Sequence, residues 1–291
     1  MIDPQHLRKD AEALAAPLPP LLAAAEHLAA SIQAGSHGRR RVGQGDEFWQ
    51  YRPSHAGDTL RQIDWRRSAK TDSALFVREK EWQASQTVMF WVDQANSMRF
   101  SSDASLPRKC DEARVLALAL AVLLNQGGEK IGLSNSGLPP RSGKAHLERL
   151  TAALSDDEDA EYAAPVLSGV PSYSRAVFVS DFLGDFGPIG EALTKSADKG
   201  ISGALVQVLD PQEEAFPFGG RTIFESVGGS ISHETLKARN LRDRYIDRLE
   251  ARKEELRSLS RVTGWQYYLH HTDASASSAL LWLYMAMERS R

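Results

Sequence analysis

The chain has 291 residues, of which 42% are hydrophobic and 25% are charged, and its formal net charge at pH 7 is -3. This composition is typical of a globular protein with one sizeable core and a smaller appendage, and it excludes wholesale disorder. The balanced charge gives no global attraction to nucleic acid or to an anionic membrane. The only cysteine, Cys110, excludes an internal disulfide and a multi-cysteine zinc site.

The beginning of the chain and its apolar runs predict where the protein resides. The N-terminus lacks the basic start of a signal peptide. The longest apolar runs, Val115–Leu124 and Ala279–Ala286, are shorter than the ~20 residues that span a bilayer. We therefore expect a cytoplasmic protein that does not enter the membrane.

Residues 1–38 are predicted to form an N-terminal helical segment. Apolar residues recur with a helical period, and the pattern is interrupted at Pro17–Pro20. Several glycines then surround the basic residues Arg39–Arg41, which indicates a flexible passage. We place the first domain boundary there.

Residues 39–85 are predicted to form a small β-rich subdomain. Aromatic and β-branched residues alternate with charged ones in this segment, and Pro53 and Gly57-Asp58 indicate turns. A second β-like stretch, within residues 211–230, lies far along the chain. We expect it to pair with the 39–85 subdomain.

Residues 86–291 alternate between short apolar strands and helices. The predicted strands are Thr87–Val92, Lys130–Leu133, Ala176–Val179, Ala204–Leu209 and Gln266–Leu269. The predicted helices are Arg108–Asn125, Lys144–Leu154, Pro188–Ala197, Glu234–Ser260 and Ala276–Arg289. This alternation predicts an α/β fold, with a largely parallel sheet covered by helices on both faces.

Two of the predicted strands end in a carboxylate. Asp93 follows the first strand, Asp181 follows the third, and Ser97 lies four residues after Asp93. The carboxyl ends of parallel strands share one edge of the sheet, where ligands of such folds bind. Carboxylate and hydroxyl oxygens are ligands that Mg²⁺ accepts. The same aspartates could instead cap turns or helix N-termini.

This edge resembles the metal-ion-dependent adhesion site of von Willebrand factor A domains. The resemblance implies that Asp93, Ser97 and Asp181 hold Mg²⁺, with Ser142 as the nearest substitute for a threonine of the motif. Ala95 stands where the motif has its first hydroxyl, so one direct ligand is lost. Water or Asn96 would have to replace it. The predicted metal site is therefore degenerate.

A second resemblance covers residues 40–290 and is carried by an upstream signature. Its motifs are Gly43-Gln44-Gly45-Asp46-Glu47-Phe48, Arg52, Gly57-Asp58, Arg61, Ile63-Asp64-Trp65, Ala69-Lys70 and Val77-Arg78-Glu79. These motifs resemble the hallmark of a bacterial family called Domain of Unknown Function 58. The Ser-Asp-Phe loop at Ser180 and the segment Asp210–Glu225 follow in the order that the family has.

The signature mixes arginines and carboxylates at close spacing, which has three interpretations. Bidentate ion pairs between them could brace irregular backbone beside Trp49 and Trp65. The same side chains could instead form a docking surface for a partner, or they could take part in catalysis. No Walker, zinc, nucleophile-elbow or dinucleotide motif accompanies them.

Members of this family look like proteins that act together with MoxR-type AAA+ ATPases. The resemblance implies a non-catalytic protein-binding adaptor or assembly module that acts with such an ATPase on a client protein. The expected contact residues are Asn96, Met98, Phe182, Arg61, Asp64 and Trp65. Two alternatives remain: a metal-dependent hydrolase that uses Asp93 and Asp181, and a nucleic-acid binder that uses the arginine-rich segment 39–70.

Overall fold

The computed structural model describes residues 39–43, 47–55, 63–70, 75–156, 158–225, 229, 232–235 and 239–288. The chain divides into two compact units, and the boundary lies between Gln86 and Thr87. The predicted helical segment 1–38 lies outside the described residues.

The first unit is a small antiparallel sheet. It contains strands β1 (Arg39–Gly43), β2 (Glu47–Pro53) and β3 (Phe76–Ala84), together with the short helix α1 (Trp65–Ser68). The order of the strands is β1-β3-β2, so the last strand lies between the first two. Its β-rich character agrees with the alternation of aromatic and charged residues in the sequence.

The second unit is an α/β structure. Its strands are β4 (Thr87–Val92), β5 (Lys130–Leu133), β6 (Arg175–Ser180), β7 (Ser202–Leu209), β8 (Thr222–Glu225), β9 (Ser232–Thr235) and β10 (Gln266–His271). Its helices are α2 (Lys109–Gln126), α3 (Lys144–Leu154), α4 (Phe186–Asp198), α5 (Pro211–Ala215), α6 (Arg239–Thr263) and α7 (Ala276–Glu288), with a 3-10 turn at Asn96–Arg99.

Five of these strands form one sheet in the order β10-β7-β6-β4-β5, and all of its neighbouring pairs are parallel. The α/β fold with a largely parallel sheet is therefore confirmed. The chain proceeds from β4 outward to β5 and then returns to β6 on the other side of β4. This reversal places the switch point of the sheet at the carboxyl ends of β4 and β6, between Asp93 and Asp181.

The two faces of the sheet have separate apolar cores. Val88 and Phe90 in β4 pack with α2, α3 and α7, whereas Met89 and Trp91 pack with α4 and α6 on the opposite face. Successive side chains of a strand point to opposite faces, so a strand covered on both sides must be apolar throughout. This explains why β4 and β6 have almost no charge.

The structure corrects the expected partner of the 211–230 ribbon. Strand β8 pairs in antiparallel fashion with β9, and Thr222 lies opposite Thr235. The two strands form a local hairpin within the α/β unit, so the expected pairing with residues 39–85 is wrong for the described strands. Helix α6 accordingly begins at Arg239 rather than at the predicted Glu234, because Ser232–Thr235 is extended.

None of the described helices combines the length and apolar character that crossing a membrane requires.

Candidate functional site

Strands β4 and β6 bring Asp93 and Asp181 to the same edge of the sheet. Both residues are only 1% exposed. The backbone N–H of Asp93 donates to the carbonyl of Val179 at 2.9 Å, which continues the strand pairing to the end of β4. The predicted convergence of the two carboxylates is therefore present.

Both carboxylate oxygens of Asp93 accept hydrogen bonds from residues at the carboxyl edge of the sheet. Its Oδ1 accepts a hydrogen bond from the N–H of Ala95 at 2.9 Å, and its Oδ2 accepts one from the hydroxyl of Ser180 at 2.6 Å. Burial, reinforced by the negative charge of Asp181, raises the pKa of Asp93 to about 7. Burial therefore favours the protonated form of Asp93.

The carboxylate of Asp181 is paired with a buried lysine. Lys109, the first residue of α2, donates from Nζ to Oδ2 of Asp181 at 2.9 Å, and the N–H of Leu183 donates to Oδ1 at 3.0 Å. Lys109 is itself 1% exposed. The ammonium group therefore neutralises Asp181 inside the protein.

Glu213 in α5 is the second partner of this ammonium. The distance from Lys109 Nζ to Glu213 Oε1 is 2.6 Å, and Glu213 Oε2 accepts the N–H of Asp210 at 2.9 Å. Asp210 and Glu213 form a reciprocal capping box at the start of α5, with Pro211 at its first position. The local geometry of α5 thus holds Glu213 against Lys109. We call Lys109, Asp181 and Glu213 the ionic cluster.

The donor set at this edge does not fit the Mg²⁺ that the resemblance implies. Each oxygen of Asp93 and Asp181 already accepts a hydrogen bond, and Ala95 has no oxygen in its side chain. The hydroxyl of Ser97, which the motif would use as a ligand, is buried without a hydrogen-bond partner among the described groups. Within the described ranges, no group of three or more His, Cys, Asp or Glu residues is placed to hold a metal ion.

Ser142 does not reach this edge. Arg141 bridges to Ile131 near the amino end of β5, and the N–H of Gly143 donates to Oδ1 of Asn125 at 2.7 Å near the end of α2. Ser142, between them, therefore lies at the opposite end of the parallel sheet from Asp93. Its predicted role as a metal ligand is wrong because its loop returns to the amino end of β5.

The structure also corrects the predicted contact residues of the edge. Asn96, Met98 and Phe182 are 7%, 0% and 1% exposed, so these side chains are not surface groups. Met98 Sδ accepts the N–H of Asp181 at 3.2 Å. Phe182 has a left-handed backbone with φ of 51° and faces the ring of Trp91, with centroids 6.3 Å apart. These residues shape the turns instead of contacting a partner.

The remaining predicted contact residues belong to the smaller unit. Asp64 caps the N-terminus of α1, since its Oδ1 accepts the N–H of Arg67 at 3.0 Å. Its Oδ2 accepts the hydroxyl of Tyr51 at 3.2 Å. Trp65 is 56% exposed, so its predicted contact with a partner stays a prediction. Arg61 lies outside the described residues.

An aromatic pocket opens beside the ionic cluster. It has a volume of about 400 Å³, and its apolar walls come from Phe100, Phe216, Phe218, Phe224, Leu241 and Tyr245. Glu213 also contributes to the lining. Phe216 ends α5 with φ of 43° and is 6% exposed, which turns its ring inward.

The ring of Phe216 organises the pocket. The centroids of Phe218, Phe224 and Tyr245 lie 5.3, 5.6 and 4.9 Å from it. Burial, and then the charge of Glu213, raise the pKa of Tyr245, so this phenol stays neutral. We refer to this feature as the aromatic pocket.

Sequence reasoning missed both the ionic cluster and the aromatic pocket. Lys109 carried a signal, because a cation at the first position of a helix opposes the helix dipole and needs compensation. The run Asp210-Pro211-Gln212-Glu213 carried another, because it matches a capping box with proline at the first helical position. The aromatic residues of 216–224 indicate, from the sequence, only a turn and a ribbon.

Two solved structures are similar to this chain at low sequence identity. The conserved hypothetical protein BatB from Bacteroides thetaiotaomicron is 14% identical, with a TM-score of 0.39, and the match covers 71% of this chain and 100% of that one. An aerotolerance-related membrane protein from Bacteroides fragilis is 15% identical, with a TM-score of 0.38, and the match covers 70% of this chain and 98% of that one.

Relatives and a family match identify the chain's family. Uncharacterised proteins of Mycobacterium tuberculosis and Mycobacterium bovis are 24% identical over 278 residues, which is 90% of this chain and 86% of theirs. The family described as protein of unknown function DUF58 matches residues 50–255, well over half of the chain. The match includes Asp93, Lys109, Asp181 and the aromatic pocket. The chain therefore belongs to the DUF58 family.

Proposed function

We propose that this protein is a non-catalytic protein-binding module and that the aromatic pocket is its contact site. The pocket is the observation that carries the proposal, because it is an apolar cavity of about 400 Å³ at the carboxyl edge of a parallel sheet. Ligands of open α/β sheets bind at this edge. Apolar pockets that receive an aromatic or aliphatic anchor provide much of the binding energy of protein interfaces.

The expected occupant is a large apolar side chain of a partner protein. Six apolar or aromatic residues line the pocket, and the carboxylate that also lines it, Glu213, is already paired with Lys109 at 2.6 Å. An entering apolar side chain therefore displaces water without stranding an unpaired charge. Burying such a side chain stabilises a complex by about 1.5–3 kcal/mol.

The partner class rests on the family resemblance. That resemblance implies a MoxR-type AAA+ ATPase together with a client protein, and it places the energy source in the partner. The contact surface proposed for the partner is the aromatic pocket. It uses Phe218, Phe224 and Tyr245 rather than the buried Asn96, Met98 and Phe182.

The hydrolase alternative has weaker support at this edge. A metal-dependent hydrolase needs a carboxylate that is free to hold the metal or to take a proton from water. Asp93 and Asp181 instead accept hydrogen bonds on both oxygens from their own surroundings. The nucleic-acid alternative depends on segment 39–70 and remains a prediction for that unit.

Site-specific photo-crosslinking tests the proposed contact site. A photoreactive phenylalanine analogue replaces Phe218 in the full chain, and purified MoxR-type ATPase from the same organism is added before irradiation. Val262 in α6 provides the control position, because it is 83% exposed and lies about 30 Å along the helix from Leu241.

A crosslink to the ATPase from position 218 and none from position 262 is the expected result. Crosslinking from both positions would mean that the pocket is not the specific contact. If the ATPase binds the chain without reacting at position 218, the contact surface lies outside the aromatic pocket. No binding of the ATPase at all would contradict the partner class.

A further inference from the structure

Lys109 occupies a position that local rules disfavour. It is the first residue of α2, where the aligned peptide dipoles create a partial positive charge, and its side chain is 1% exposed. Burial alone would lower the pKa of an amine and favour its neutral form. Two nearby carboxylates, those of Asp181 and Glu213, supply the opposite charge that stabilises a buried ammonium. The ammonium is therefore charged within the protein.

The geometry around this ammonium resembles the coordination of a bound cation. Carboxylate oxygens from two elements that are distant in sequence, the end of β6 and helix α5, lie 2.9 and 2.6 Å from Nζ. The ring of Phe100 has its centroid 5.9 Å away and covers another side. The same carboxylate, Asp181, is the one that the metal-site motif assigns to Mg²⁺.

We propose that Lys109 is the resident cation of this edge, so that its ammonium replaces the divalent metal and the edge is complete without one. One positive charge faces Asp181 and Glu213, and hydrogen bonds fix both carboxylates in place. A divalent ion entering here would meet the ammonium and would have to break these hydrogen bonds. Mg²⁺ also demands near-octahedral oxygen ligands, and Ala95 removes one of them.

Ser97 provides a separate test of this assignment. In a metal-dependent edge its hydroxyl would be a ligand, whereas an edge completed by Lys109 gives it no such role; among the described groups it is buried without a hydrogen-bond partner. Replacement of Ser97 should therefore leave the edge intact.

Titration with Mn²⁺, a spectroscopically visible substitute for Mg²⁺, tests the proposal on the full-length chain. Free Mn²⁺ is followed by electron paramagnetic resonance, and the melting temperature is recorded with and without the metal. The proteins compared are wild type, Ser97→Ala, Lys109→Ala and Lys109→Ala/Asp181→Asn. Removal of Lys109 leaves a cavity bordered by carboxylates, into which a hydrated metal ion can enter.

The expected results are no Mn²⁺ binding and no thermal shift for wild type and Ser97→Ala. Lys109→Ala should melt lower than wild type, bind Mn²⁺ and regain part of its melting temperature, and the added Asp181→Asn change should abolish that binding. If Lys109→Ala folds but does not bind Mn²⁺, the proposal that the ammonium of Lys109 replaces a divalent metal is wrong. Wild-type binding that Ser97→Ala abolishes would overturn the proposal even if the lysine variants do not fold.

Discussion

The hydroxyl of Ser180 donates a 2.6 Å hydrogen bond to Oδ2 of Asp93, and this bond joins the carboxyl ends of β4 and β6. The same oxygen of Ser180 accepts the N–H of Phe182 at 2.9 Å. Both groups are buried, so the bond forms away from competing water. Asp93 therefore acts as a structural link between two strands, although it occupies the first position of a metal-site motif.

Replacement of Asp93 by asparagine should flatten the pH dependence of stability. The folded-state pKa of Asp93 is about 7, above its ordinary value of 3.8, so the folded protein retains a proton that the unfolded chain has lost. This stabilisation is fully present below about pH 4 and disappears as the pH rises through 7. Its size is on the order of 1.4 kcal/mol per pKa unit.

Denaturant unfolding between pH 5 and pH 8 measures this effect. The side chain introduced by Asp93→Asn is neutral at every pH, and its amide can both accept the Ala95 N–H and donate to Ser180. The wild type should lose stability relative to Asp93→Asn over this interval. Parallel curves for the two proteins would show that Asp93 is ionised throughout.

Removal of the ammonium of Lys109 should be strongly destabilising. Lys109→Met leaves the buried carboxylates of Asp181 and Glu213 without their counter-ion, which typically costs about 3–5 kcal/mol. Adding Glu213→Gln should recover part of this loss, because one unpaired charge is then neutral. Chemical denaturation of the single and double variants provides the measurement.

Lys195→Met is the matched control for this experiment. Lys195 pairs with Glu191 one turn away in α4, and both side chains are at least 60% exposed. Its replacement should change stability by no more than about 0.5 kcal/mol. If Lys109→Met were equally mild, the buried ion pairs would not stabilise this edge.

Arg252 should be needed for the turn after β6. Its Nη1 donates to the carbonyl oxygens of Phe182 and Gly184 at 2.6 and 2.7 Å, and Phe182 has the unfavourable φ of 51°. Arg252→Met should lower the free energy of unfolding by about 2 kcal/mol, as expected when hydrogen bonds to a charged group are lost.

The comparison for this variant is Arg261→Met in the same helix. Arg261 pairs with Glu254 at 2.7 Å while 68% exposed, and such surface pairs contribute little. Thermal unfolding of both variants should separate them clearly. Equal melting temperatures would show that the contacts of Arg252 with the turn are not important for stability.

The strands of the sheet were predictable from sequence because each one is defined by a short apolar run and the residues that bound it. Thr87–Val92 and Lys130–Leu133 were predicted with the boundaries that the structure has, since each is a short apolar run ended by polar residues or glycine. The meeting of Asp93 and Asp181 followed from the parallel order of such strands. Helix α6 was predicted to start too early, because the charge-rich sequence at Glu234 does not distinguish a hairpin strand from a helix.

The chemistry of the edge was harder to predict because it depends on distant pairs. Lys109 is separated from Asp181 by 72 positions and from Glu213 by 104, and no local pattern relates such residues. The aromatic pocket likewise combines Phe100 with Tyr245. The motif correctly predicted that Asp93 and Asp181 lie at the same edge of the sheet. It did not predict that the ammonium group of Lys109, from helix α2, pairs with Asp181.

The affinity of the purified MoxR-type ATPase for wild type, Ser97→Ala and Leu241→Glu tests the central claim most directly. Leu241 lines the pocket and Ser97 belongs to the metal-site motif. All three proteins should be folded by thermal melting before binding is compared. We predict unchanged binding for Ser97→Ala and a loss of at least about tenfold, or 1.4 kcal/mol, for Leu241→Glu. Loss of binding in Ser97→Ala, with full affinity in Leu241→Glu, would contradict a metal-free edge that binds its partner through the aromatic pocket.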